Sequence, residues 1–249
     1  GDLTVESGLQ ITNCWSGAGI ASFMHVTAPE KKLNLLFDCG SIEPSILSAS
    51  HVFCTHGHLD HIGACVIHAR ARALQNKVAC YYIPEECRDG LLEQKSACEK
   101  LDGHEVPMDI RTCRPGQFVQ VNKSFRVRVF ATEHRVPSQG YAIYYQPPNR
   151  LKPEYVGRPA EEMRQLACSG AQLRDKPDEV IQLVYTGDST FEGLLRPDNR
   201  FIFDAPVLVM ECTYIKASSS SSSSSGSGSR RGKAIGAATA DGPSPSSID

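Results

Sequence analysis

Thr55-His56-Gly57-His58-Leu59-Asp60-His61 is the stretch on which the reading of this chain turns. It follows His51-Val52-Phe53-Cys54, a short apolar run that reads as a buried strand, and it precedes a predicted helix over residues 62–75. Three imidazoles and a carboxylate within residues 56–61 are not what a packed core selects. Both groups are good zinc ligands. His56 and His58, two residues apart in an extended turn, can converge on one ion. Asp60 and His61 then face a second position.

Two further elements repeat the same arrangement of apolar strand and polar loop. Phe125, Val127 and Val129 alternate with Arg126 and Arg128, the period of a half-buried strand, and His134 follows directly in the loop ATEHRVPSQGY. Taken alone, a single histidine is more often structural than a ligand. The apolar run VIQLVYT ends in Gly187-Asp188-Ser189-Thr190. Asp188 reads either as a turn residue or as a carboxylate able to lie between two metals. Each of these candidate ligands follows a strand, which strengthens the metal reading of all of them.

Predicted strands recur at residues 20–27, 33–38, 51–55, 77–83, 125–131, 140–145, 180–186 and 206–211, with helices at 62–75, 84–100 and 159–168. Pro84 followed by two glutamates fits a helix start. VIQLVYT and PVLVMECT are almost wholly apolar, as in strands covered on both faces. Strands come in groups with helices interspersed, which favours a layered α/β sandwich over a regularly alternating doubly wound sheet. Residues 1–216 are expected to form one folded unit, and the Ser/Gly-rich residues 217–249 a disordered tail or insertion.

The chain has 249 residues, 41% apolar and 22% charged, which excludes a collagen, a coiled coil or a wholly disordered chain. No run of about 18 apolar residues occurs, so no membrane span is expected. The opening residues lack the basic and apolar regions of a signal peptide. With 26 basic and 28 acidic residues the net charge is −2, which does not suggest a broad nucleic-acid-coating surface but permits a local basic groove. Ten cysteines, no two separated by two to four residues, form no zinc-ribbon or redox pair and are expected to be buried reduced thiols of an intracellular protein.

The motifs resemble the metallo-β-lactamase superfamily, which implies a four-layer αββα sandwich, here with its C-terminal part incomplete. Within that superfamily LLFDCG, VFCTHGHLDHIGA, FATEHRVPSQGYAIY, LKPEYVG, YTGDST and VLVMECTY, in this order, are together similar to the short form of ribonuclease Z. The resemblance implies a zinc-dependent endoribonuclease that removes the 3′ trailer from precursor tRNA by metal-hydroxide attack on a phosphodiester. It implies two Zn2+ ions: His56, His58 and His134 on one, Asp60 and His61 on the second, and Asp188 bridging both. Asp60 would also orient or deprotonate the nucleophile, and Glu211 of the ECTY element would pair with a histidine to assist the leaving group. Precursor tRNA as partner, a homodimer and no membrane association go with it. Other readings are a related hydrolase of a small ester or phosphodiester, and a non-catalytic RNA-binding member.

The family supplies two more histidines after the ECTY element, one of them completing the second zinc, and here no histidine follows His134. The expectation is a truncated fragment whose continuation carries them, because the other six candidate ligands are intact. The competing expectation is a chain that has lost full activity. Either would hold the second zinc weakly. The basic-flanked segments 88–114 and 150–166 are expected to be solvated turns and helices with some capacity for substrate contact.

Overall fold

The computed structural model describes residues 7–211. The serine-rich residues 217–249, Cys212 and the end of the ECTY element lie outside the described residues.

Six strands form the first sheet in chain order: β1 (Gln10–Gly17), β2 (Ala21–Ala28), β3 (Leu33–Phe37), β4 (His51–Phe53), β5 (Cys80–Pro84) and β6 (Asp109–Cys113). The first three pair antiparallel, and β3 to β6 pair parallel. Parallel neighbours need a crossover. Two helices, α1 (Leu59–Ile62) and α2 (Cys65–Ala73), carry β4 to β5, and α3 (Arg88–Asp102) carries β5 to β6. The second sheet contains β7 (Phe118–Gln120), β8 (Phe125–Ala131), β9 (Gln139–Tyr145), β12 (Val180–Tyr185) and β13 (Val207–Val209), in the order β13-β12-β9-β8-β7. Between β9 and β12 the chain makes an excursion through the two-residue strands β10 (Arg150–Leu151) and β11 (Arg174–Asp175), with α4 (Ala160–Cys168) between them. Helix α5 (Phe191–Leu194) follows β12.

Side chains sort these elements into four layers. Leu35, Phe37, Phe53, Val127, Val129, Tyr141, Ile143 and Leu183 are fully buried in one cluster between the two sheets. Phe53 stacks on Tyr82 with ring centroids 4.5 Å apart and meets the edge of Tyr141 at 5.2 Å. On the opposite face of the first sheet, Leu36, Val52, Cys54, Tyr81 and Ile83 pack beneath Ile62, Cys65, Val66, Ala69 and Leu91 of the three helices. Phe130, Ala142 and Val184 on the outer face of the second sheet are covered by Leu194 and Ile202. The central strands are thus covered on both faces, which is why they read as continuous apolar runs. The alternation in β8 also holds: Phe125, Val127 and Val129 are buried, while Arg126 and Arg128 stack on Phe118 and Phe201 outside.

Several boundaries differ from the sequence reading. The helix expected over 62–75 is two, because the Ala64 N–H turns aside to donate to Cys39 O at 2.9 Å. Pro84 ends β5, opposite Cys113, and the two glutamates form a 3-10 turn before α3 begins at Arg88. Of the nine described cysteines, all free, Cys39, Cys54, Cys65 and Cys113 are buried, whereas Cys14 and Cys168 are exposed. Helix α4 buries nothing and α3 only Leu91, as expected of solvated segments. Among the described residues no helix is long and apolar enough to cross a membrane.

Candidate metal centre

The ends of β3, β4, β8, β12 and β13 deliver the polar residues to one seam between the sheets. The loop after β4 is fastened to the second sheet by a hydrogen bond from Gln139 N–H to Thr55 O at 3.0 Å and a β-bridge between His56 and Ser138. Two glycines allow the close approach. A Cβ at Gly40 would lie 1.8 Å from the backbone oxygen of Asp60. Gly187 has φ +57°, and a Cβ there would lie 2.6 Å from the Thr55 hydroxyl. The chain can therefore pass over Thr55 and present Asp188.

Two groups of ligand atoms result. His56, His58, His134 and Asp188 form one; His61, Asp188 and Glu211 form the other, and within each group the ligand atoms lie within 4.8 Å of one another. His58 Nδ1 lies 2.9 Å from His56 Nε2 and 3.2 Å from His134 Nε2. Nitrogens bound to one tetrahedral zinc would be about 3.3 Å apart. The Oδ2 atom of Asp188 lies 3.9 Å from His56 Nε2 and 3.8 Å from His134 Nε2, and its Oδ1 lies 3.6 Å from His61 Nε2. His61 Nε2 and Asp188 Oδ1 are buried without hydrogen-bond partners, too far apart to satisfy each other and suitably spaced to share a cation. The residues present fit a metal.

The electrostatics agree. Burial, then the His61, His134 and His58 rings and Arg135, hold His56 down to about 2, so its imidazole is neutral. Burial and then Arg135 lower His58, and burial and then His58 lower His134. Burial opposes charge on His61, but the Asp38 carboxylate, its hydrogen bond, and Asp188 and Glu211 push it up to about 9. Burial raises Asp188; burial and then Asp188 raise Glu211. Three neutral imidazoles, His56, His58 and His134, stand beside crowded carboxylates that hold a proton on His61, and a divalent cation that displaced that proton would take over the balancing of their charge.

Of the predicted residues, His56, His58, His61, His134 and Asp188 come together. Asp60 stands at the rim, with its Oδ2 accepting from Gly19 N–H at 2.9 Å and lying 3.8 Å from His61 Nε2. It belongs to neither group of ligand atoms. Glu211 accepts from the Ser22 hydroxyl at 3.0 Å and lies 3.9 Å from His61 Nε2, within the second group.

Sequence reasoning assigned no role to Asp38, which is fully buried with φ +55°. Its Oδ1 accepts from Thr55 N–H at 2.7 Å, and its Oδ2 accepts from His61 Nδ1 at 2.8 Å and Tyr185 Oη at 2.9 Å. The Thr55 hydroxyl also donates to it, and lies 3.0 Å from His56 Nδ1. With Nδ1 of His56 donating to Thr55, one carboxylate fixes the tautomer of two ligands and leaves both Nε2 atoms facing the seam. The available signal was its place in LLFDCG, the first of the motifs that carry the resemblance, at the end of the apolar run Leu35-Leu36-Phe37. Arg135, exposed, lies with its Nε 3.3 Å from His58 Nε2.

Two mixed sheets packed face to face, with helices on both outer faces and strand-end ligands in the seam, are the metallo-β-lactamase fold. No family model matches the chain. It is 31% identical over 147 residues to a protein of Triticum aestivum named nuclear ribonuclease Z, a match covering 57% of this chain and 80% of that protein. It is 29% identical over 189 residues to tRNase Z TRZ1 of Arabidopsis thaliana, covering 75% of this chain and 66% of the relative's length. A solved structure of the short form of human tRNase Z (ELAC1) superposes with a TM-score of 0.42 and 18% identity, over 54% of this chain and 64% of that one. The chain belongs to the ribonuclease Z family.

Proposed function

We propose that this chain is a zinc-dependent endoribonuclease that cuts the 3′ trailer from precursor tRNA. The observation that carries the reading is Asp188, whose Oδ2 faces His56 and His134 at 3.9 and 3.8 Å while its Oδ1 faces His61 at 3.6 Å. One carboxylate turned to a cluster of three imidazoles on one side and to His61 and Glu211 on the other is the arrangement that two-metal phosphodiester hydrolysis needs. Imidazole and carboxylate donors suit zinc. When bound, zinc lowers the pKa of water toward about 7 and neutralises charge on a phosphodiester.

The chain's own residues then divide the work. His56, His58 and His134 hold the first ion, His61 and Glu211 the second, and Asp188 both. Asp60, with Oδ2 fixed by Gly19 N–H, keeps Oδ1 to orient the attacking water and accept its proton. Glu211, half-buried just after β13 and beside Asp188, would be ionised while holding the second ion, so the leaving oxygen would take its proton from water. A homodimer and an intracellular location belong to the same reading, supported by the sequence resemblance and by the nuclear name of the wheat relative.

The test is cleavage of a precursor tRNA with a 3′ trailer by the full chain, with zinc and with a chelator, beside an Asp60→Ala control. The expected result is a zinc-dependent cut just after the discriminator base, absent in the control. Uncut precursor under zinc saturation would overturn the nuclease reading.

A further inference from the structure

A pocket of about 440 Å³ opens beside the candidate metal centre and shares His58 with it. Its walls are apolar: Leu59, 73% exposed although it directly follows a candidate ligand, Leu91 from α3, and Val136 with Pro137 from the loop after His134. Its floor is tight, since a Cβ at Gly57 would lie 3.1 Å from Cys87 Sγ. Two acceptors stand at its edge. Glu86 carries a carboxylate, and Gln94, whose Nε2 donates to Gly63 O at 2.8 Å, keeps Oε1 for a ligand. Across the Val136–Pro137 ridge lies a polar groove of about 520 Å³ that contains Arg114, Arg135 and Arg196 together with Glu86, shared with the apolar pocket, and Glu133. Arg114 is ion-paired with Glu85, which leaves Arg135 and Arg196 as the cations nearest to free.

We infer that the apolar pocket receives the base of one of the two unpaired nucleotides flanking the scissile phosphodiester, while the arginine groove takes the phosphate chain. This rests on the nuclease reading above and adds a base-binding subsite to it. The chemistry matches a nucleotide. A base offers a flat apolar face to Leu59 and Pro137, and its amino edge offers donors to Glu86 and Gln94. Its phosphates, one bond chain away, require cations, which stand on the other side of the ridge. A wholly apolar guest would leave the two acceptors at the pocket edge unused.

Gly90 lines the pocket from α3 and has open space where a Cβ would be, so Gly90→Leu fills the pocket without disturbing the helix. Leu59→Ala removes a wall that contributes little to the core. The experiment uses the full zinc-loaded chain and precursor tRNA carrying 2-aminopurine at one flanking nucleotide, then at the other. At one position the emission should change on mixing, before product forms, and Gly90→Leu should abolish the change. An abasic residue at that position should lower kcat/KM about tenfold, the loss of one stacked base. Gly90→Leu should cost the same on the intact substrate and nothing further on the abasic one, and Leu59→Ala should lower kcat/KM in the same direction. Zinc-dependent cleavage indifferent to both bases and both variants would overturn the subsite and leave the nuclease standing. Absence of zinc-dependent cleavage on every substrate would overturn both.

Discussion

Asp38 reaches the metal centre only through other side chains, yet four donors from Thr55, His61 and Tyr185 converge on it. Asp38→Asn turns one acceptor into a donor facing those donors. Zinc affinity should fall about 10- to 100-fold, read by competition with a chromophoric chelator; undiminished affinity would count against the positioning role. Asp188→Ala should lower zinc at both sites together, and elemental analysis that finds one ion fully retained would refute the bridge. Away from the site, His68 is fully buried, accepting from Tyr81 Oη at 2.8 Å and donating through Nε2 to Ile46 O at 3.3 Å. Burial holds it down to about 4, from an ordinary value of 6.5. The unfolded chain therefore takes up a proton between these values that the folded chain refuses. This contribution to stability is complete above pH 6.5 and is lost as pH falls toward 4, on the order of 3 kcal/mol. An NMR titration should show the His68 ring neutral down to about pH 4, and a midpoint near 6.5 would contradict it.

Strand β4 holds two roles in three residues. Val52 packs beneath the helices, and Phe53 lies between Phe37, Tyr82 and Tyr141 in the middle layer. Phe53→Ala should cost about 3–5 kcal/mol in urea unfolding, since the close-packed rings around it cannot collapse into the space. A loss below about 1 kcal/mol would mean the middle layer is loosely packed there. Strands of this kind were legible in the sequence because both faces are apolar. The strands that were not are the edge strands β1, β6 and β7 and the two-residue β10 and β11; of the edges of the two large sheets only β13 was legible, through its apolar run. In β1, QITNCWSG, every residue is exposed or half-exposed, so no buried face imprints a period. The site divides in the same way. His56, His58 and His61 were legible because adjacency in the chain made the cluster visible. Asp38 was not, because its meaning depends on Tyr185, 147 residues away. Nor could spacing reveal that Glu211, not Asp60, stands within the second group of ligand atoms.

The two sheets draw on separate halves of the chain: β1 to β6 end at Cys113, and β7 begins at Phe118. His56, His58 and His61 leave the first sheet, whereas His134, Asp188 and Glu211 leave the second. Zinc bound at that seam, as proposed, would join the halves, so loading should raise the thermal midpoint. At a free zinc concentration about 1,000 times the dissociation constant the added stability is about 4 kcal/mol, and a chelator should remove it. An equal midpoint with zinc and with chelator would show that no ion spans the sheets. A chain severed at the turn between Cys113 and Phe118 would leave each fragment with three of the six candidate ligands and one bare apolar face. Such fragments are natural complements of each other: mixed together they should rebuild the sandwich, and uptake of zinc would report the reunion.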